Sequence, residues 1–176
     1  MTRKGKNEMT KRNVIITIKT ERTETCASLF EEPEDELLEE DGDGNAMPDA
    51  SEIMVEGRLV TGASRVELVY EESEMSGMEG STTSIGFDRA NPDMVSMMRT
   101  GTVYSAFVFE EGKRHVSVYN TPFSDFEICV RTVRVRNALL REGRLELEYL
   151  IEVHGAQAER CRMEISVRPA EELFAN

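Results

Sequence analysis

Oxygen-bearing residues are spaced here as a calcium loop would space them. Counting from Asp41, positions one, three, five, nine and twelve are Asp41, Asp43, Asn45, Asp49 and Glu52, the pattern of an EF-hand loop closed by a bidentate Glu. Ala46 stands at the sixth position, where glycine is needed for a positive φ, and Pro48 removes a backbone donor. A strand pattern follows instead of an exiting helix. In so acidic a stretch such matches arise readily, and a solvated flexible loop is the competing description. No metal is assigned on this pattern.

Acid–base chemistry would need paired carboxylates beside a partner base. Glu71, Glu72 and Glu74 supply the carboxylates, but at a strand end they read as a solvated cluster with no base in view. The two histidines, His115 and His154, each sit beside a turn and are expected at the surface. They cannot make a multi-histidine metal site on their own. No nucleophile elbow and no glycine-rich phosphate loop occurs in the chain. The sequence therefore implies no cofactor and no enzyme. Cys26, Cys129 and Cys161 are odd in number and widely spaced, which suits reduced thiols in a cytoplasmic protein better than a disulfide framework. Cys161 is expected to pack as a small apolar residue.

Any site must be positioned by strands. In residues 145–168, Leu145, Leu147, Tyr149, Ile151 and Val153 alternate with charged residues, and Cys161, Met163, Ile165 and Val167 do the same after a turn. A period of two places each apolar set on one face. The natural pairing sets Val153 opposite Cys161, Ile151 opposite Met163 and Tyr149 opposite Ile165, with Glu152–Arg162 and Glu146–Arg168 on the outer face. Strand candidates also cover residues 13–23, 52–61, 64–72, 81–88, 94–100, 103–109, 115–121 and 125–136. In the last of these, Phe126, Ile128 and Val130 keep one parity and Val133 and Val135 the other, so a β-bulge near Arg131-Thr132 is expected. Ten short strands without a long helical period argue for an all-β antiparallel meander. An up-and-down barrel closes such a meander, and a two-sheet sandwich is the alternative.

The chain divides into an N-terminal arm over residues 1–12, with Met9 a second candidate start, one barrel domain over 13–168, and a tail over 169–176. Residues 24–50 form an acidic, partly disordered insertion after the first strand; residues 33–40 could make a helical turn or two, with Leu37 and Leu38 docking. The net charge is −13, and thirteen of the 34 acidic residues lie between positions 24 and 57, where there is no Lys or Arg. That leaves 21 acidic residues against the 21 basic ones, a nearly neutral body. Nucleic acid is an unsuitable partner, because its binding draws on a basic face that this insertion would oppose. No apolar run is long enough to span a bilayer, and the basic, polar start does not read as a secretory signal.

Tyr70-Glu71-Glu72, Gly80 with Thr82-Thr83, Arg99-Thr100-Gly101, Phe109-Glu110-Glu111-Gly112 and Tyr119-Asn120-Thr121-Pro122 occur in that order, closed by residues 145–149. In this order the chain resembles the YwiB-like bacterial family, a domain of unknown function, over roughly residues 51–168 and the first strand. It departs from the family at Ser124, where glycine is usual, and its acidic insertion is longer. The resemblance implies a calycin-type, lipocalin-like barrel of about 8–10 strands and implies no activity. The interior of such a barrel is the remaining place for a site. Tyr70, Arg99, Tyr119 and Thr121 are the candidate polar anchors for a small, partly apolar ligand. The alternatives are a filled core, an interaction or structural module (a homodimer using the acidic loop), or an enzyme without a recognisable motif.

Overall fold

The computed structural model describes residues 9–25, 28–30 and 47–171. Ten antiparallel strands follow one another: β1 Thr10–Glu24, β2 Asp49–Thr61, β3 Arg65–Glu71, β4 Ser81–Asp88, β5 Asn91–Gly101, β6 Ser105–Phe109, β7 Arg114–Asn120, β8 Asp125–Ala138, β9 Arg144–Val153 and β10 Glu159–Pro169. They form one sheet in the order β6-β5-β4-β3-β2-β1-β10-β9-β8-β7. Each strand therefore lies beside its neighbours in sequence, and β1 pairs with β10. The remaining seam lies between β6 and β7, which are bridged by reciprocal backbone hydrogen bonds between Tyr104 and Asn120. The result is an all-β up-and-down barrel, nearly closed; the sandwich alternative falls because every strand belongs to the one sheet. β1 begins at Thr10, inside the segment expected to be an arm.

Alternation sends Val14, Ile16 and Ile18 of β1, Val66 and Leu68 of β3, Ile85 and Phe87 of β4, and Leu145 and Leu147 of β9 into one core. The expected bulge is present: the β8–β9 register shifts between Thr132 and Arg134. The extra residue, Val133, packs on the outer face, so that Ile128 and Val130 before it and Val135 after it all face the core. At Gly57 the interior leaves no room for a side chain, since a Cβ would strike Ile16 Cδ1 and come within 2.8 Å of the Val69 carbonyl.

The last hairpin is displaced from its expected register. Tyr149 pairs with Cys161 and Leu147 with Met163, rather than Val153 with Cys161 and Tyr149 with Ile165. The slip is an even number of residues, so every side chain keeps its face. The turn decides the register: Ala156 N donates to Val153 O at 2.8 Å, with Gly155 at φ 87°. The outer ion pairs change accordingly to Arg160–Glu148, Arg162–Glu148 and Arg144–Glu164.

Glu152, expected to pair with Arg162, is instead buried, and it accepts the backbone N–H of Leu29. Leu29 packs with Cys129, Leu150 and Ala158 on the outside of the barrel, and the Arg114 guanidinium holds its carbonyl. Leu37, Leu38 and the expected helical turn lie outside the described residues. No helix among the described residues is long and apolar enough to cross a membrane.

Candidate functional site

The two ends of the barrel are built differently. One end carries the β2–β3, β4–β5 and β8–β9 connections and is filled by Phe87, Val95, Val135, Leu139 and Leu145. The short helix α1, Leu139–Glu142, crosses it, and Asn137 Nδ2 donates to the Pro92 carbonyl at 2.8 Å to tie two connections together. At the other end the inward residues do not meet. They leave a cavity of about 540 Å³. Its walls are apolar: Met97, Phe107, Phe109, Ile128, Val130, Ile151, Val153 and Met163, with Tyr119 and Phe126 nearer the mouth and the Ser76-Gly77-Met78 turn over it. An eight-stranded barrel is about wide enough for side chains to fill, and diameter grows with strand number. Ten strands thus leave space that ordinary side chains do not close.

A buried polar cluster stands in the wall of this cavity. Alternation continues past the end of β3, so that Val66, Leu68 and Tyr70 are followed inward by Glu72, whose side chain is 2% exposed. The Glu72 N–H donates to Ser81 O at 2.8 Å, fixing the approach to β4. Thr83, fully buried on β4, donates its hydroxyl to Glu72 Oε1 at 2.6 Å. From β5, Arg99 Nε donates to the same Oε1 at 3.2 Å and to Thr83 Oγ1 at 3.0 Å. A buried ion pair persists only where such extra hydrogen bonds offset desolvation. Two residues on, Gly101 ends the strand at φ 125°, pressed so closely on Gly80 that a Cβ there would strike the Gly80 carbonyl. Tyr70 lies against the cluster, and burial first, then the Glu72 charge, push its phenol up to about 12.

Deeper in the cavity Tyr149 pairs across the strands with Cys161. Burial raises the Tyr149 phenol and pushes the Cys161 thiol up to about 11. Phe109 packs on Tyr149 with ring centroids 4.9 Å apart. Ser105, the ladder partner of Arg99, and Thr132, the partner of Tyr149, have buried hydroxyls without a hydrogen-bond partner among the described residues.

The sequence-derived candidates separate into groups. Arg99 and Tyr119 line the cavity, and Tyr70 belongs to the cluster behind its wall. Thr121 is spent on the β7–β8 turn: its Oγ1 accepts from Phe123 and Ser124 N–H groups and donates to the Ser124 carbonyl at 2.8 Å. It is not part of the cavity wall. The carboxylates Glu71, Glu72 and Glu74 are not one solvated cluster, since Glu72 turns inward while the other two are exposed.

His115, expected at the surface, is half-buried with its Nε2 enclosed, whereas His154 is exposed and stacks on Phe30 at 4.7 Å. Of the calcium-spaced residues, Asp49 and Glu52 lie in β2, an odd separation that sends them to opposite faces, and Glu52 pairs with Lys19 at 3.5 Å. Asp41, Asp43 and Asn45 lie outside the described residues. Among the described residues no group of three or more His, Cys, Asp and Glu is placed to hold a metal.

Sequence reasoning missed Arg22 and took Glu72 for a solvated carboxylate. Both are announced by parity: Arg22 follows Val14, Ile16, Ile18 and Thr20 at even steps, as Glu72 follows Tyr70.

A family profile described as "Domain of unknown function (DUF1934)" matches residues 38–165. Among solved structures, the fold is similar to that of the ywiB protein from Bacillus subtilis, at 16% sequence identity and a TM-score of 0.60, over 89% of this chain and 92% of that one. No curated protein matches the chain.

Proposed function

The chain belongs to the family named for the DUF1934 domain of unknown function, and we propose that it binds a small, partly apolar molecule at the open end of its barrel. The observation that carries this reading is the apolar cavity of about 540 Å³ in a barrel whose opposite end is packed. That volume lies within the ~300–1,000 Å³ usual for small-molecule sites, which combine apolar walls with a few placed polar groups. Binding is proposed in preference to catalysis because the carboxylate nearest the cavity, Glu72, is already committed to Thr83 and Arg99.

The test is titration with the neutral apolar dye N-phenyl-naphthylamine, alongside native mass spectrometry of freshly purified protein. Saturable dye fluorescence is expected, and Ile151→Trp, which fills the cavity, should abolish it. A dye signal that never saturates, or one indifferent to Ile151→Trp, would overturn the proposal.

A further inference from the structure

Building on the cavity reading above, we infer that the ligand carries a carboxylate, received by the outer nitrogens of Arg99. The side chains that line the cavity include two guanidiniums, Arg22 and Arg99, and no carboxylate. Arg22 is exposed at the mouth, whereas the Arg99 side chain is only 11% exposed. The Arg99 hydrogen bonds to Glu72 and Thr83 both leave from Nε. They lock the plane of the guanidinium, and neither Nη is engaged among the described residues. A fixed fork of N–H donors in an apolar wall matches a planar two-oxygen acceptor, which it can take with two parallel hydrogen bonds. Because Glu72 and Thr83 already hold the group, binding costs little side-chain ordering.

Charge bookkeeping narrows the class. Glu72 already balances Arg99, and Arg22 adds one positive charge at the exposed mouth. A monoanionic head adds one negative charge beside the Arg99–Glu72 pair, whereas a dianion such as a phosphate monoester would add two, at a greater desolvation cost. Apart from Ser76, Tyr119 and Tyr149, the rest of the lining is apolar. The predicted ligand is thus an amphiphile with a monoanionic carboxylate head at Arg99 and an apolar body against Phe107, Ile128 and Ile151.

The test is competition against the neutral dye by four compounds sharing one tail: decanoate, decanol, decylamine and decyl sulfate. Decanoate is expected to displace the dye at a concentration about tenfold or more below decanol, since charge-assisted hydrogen bonds are roughly twice as strong as neutral ones. Decylamine and decyl sulfate should not match decanoate. In Arg99→Gln combined with Glu72→Gln, which removes both charges together, the decanoate-to-decanol ratio should fall towards one, with folding checked by thermal unfolding. Equal displacement by decanol overturns the carboxylate assignment and leaves the apolar cavity standing. A match by decylamine or decyl sulfate overturns it as well, and so does a preference that survives in a folded double variant. If that variant does not fold, a crystal of the decanoate complex decides: the head group must lie within hydrogen-bond distance of an Arg99 Nη, and a head group at Arg22 or in solvent refutes the assignment. Failure of every compound and of the dye itself removes the cavity reading and this inference with it.

Discussion

The packed and open ends of this barrel are made by the same strands and by the same period-two alternation, yet they hold different contents. At the packed end, Leu68, Ile85, Val95 and Leu145 are at most 1% exposed, and α1 lies across the gap. At the open end the alternation delivers Arg22, Glu72, Arg99 and Tyr119 to the same inward positions. The difference teaches that a ten-stranded wall needs an additional element to be filled. One end has it in Leu139 and the β8–β9 connection. The other is left to buried charge, hydroxyls and space.

The sharpest way to break this contrast is at the buried ion pair. Arg99→Leu strands the Glu72 carboxylate, so unfolding in urea should show a loss of about 3–5 kcal/mol, largely recovered in Arg99→Leu with Glu72→Leu. A single variant as stable as the double would mean the two charges are not coupled. At the packed end, Leu145→Ala should cost about 2–5 kcal/mol because nothing can collapse into the hole. Half-buried Ile151, which already borders the cavity, should cost less on the same truncation; equal losses would erase the distinction between the ends. Gly57→Ala should destabilise by about 1–3 kcal/mol through its clash with Ile16, despite adding an apolar atom. A neutral or stabilising result would show that β2 can give way there.

The last effect is one of pH. Cys161 at about 11 lies above its ordinary 9.0, and Tyr70 at about 12 lies above 10.0. The folded chain therefore holds these protons more tightly than the unfolded chain does. The resulting stabilisation is complete below pH 9 and is lost as pH rises, through 9 to 11 for the thiol and 10 to 12 for the phenol. Each group contributes up to about 1.4 kcal/mol per unit of pH within its window. Urea midpoints measured across that range should fall, less steeply in Cys161→Ala at the lower end and in Tyr70→Phe at the upper. Parallel curves for all three proteins would show that these buried groups do not titrate with unfolding.

Much of the fold was legible because it is local. The strands, their inward faces and the β8 bulge follow from side-chain parity, and parity needs only neighbouring residues. Even the register error in the last hairpin left every face correct, for the same reason. Part of the cavity lining was legible too: Arg99 and Tyr119 were chosen for their types and do line the cavity. Thr121 was not, because a threonine beside a proline can serve a turn as readily as a wall. Glu72 was misplaced among solvated carboxylates by its sequence neighbours, although its parity with Tyr70 pointed inward.

By itself, then, the sequence determined an all-β meander, the face each side chain takes and the family to which the chain is similar. Tertiary structure alone decided that Glu72 meets Arg99 across a separation of 27 residues, that Leu29 folds back to cover the outer face, and that one end stays open. The physical reason is that alternation is set residue by residue through backbone geometry. A charge pair, a docked segment and a cavity depend instead on strand number, register and the volume enclosed between residues far apart in the chain.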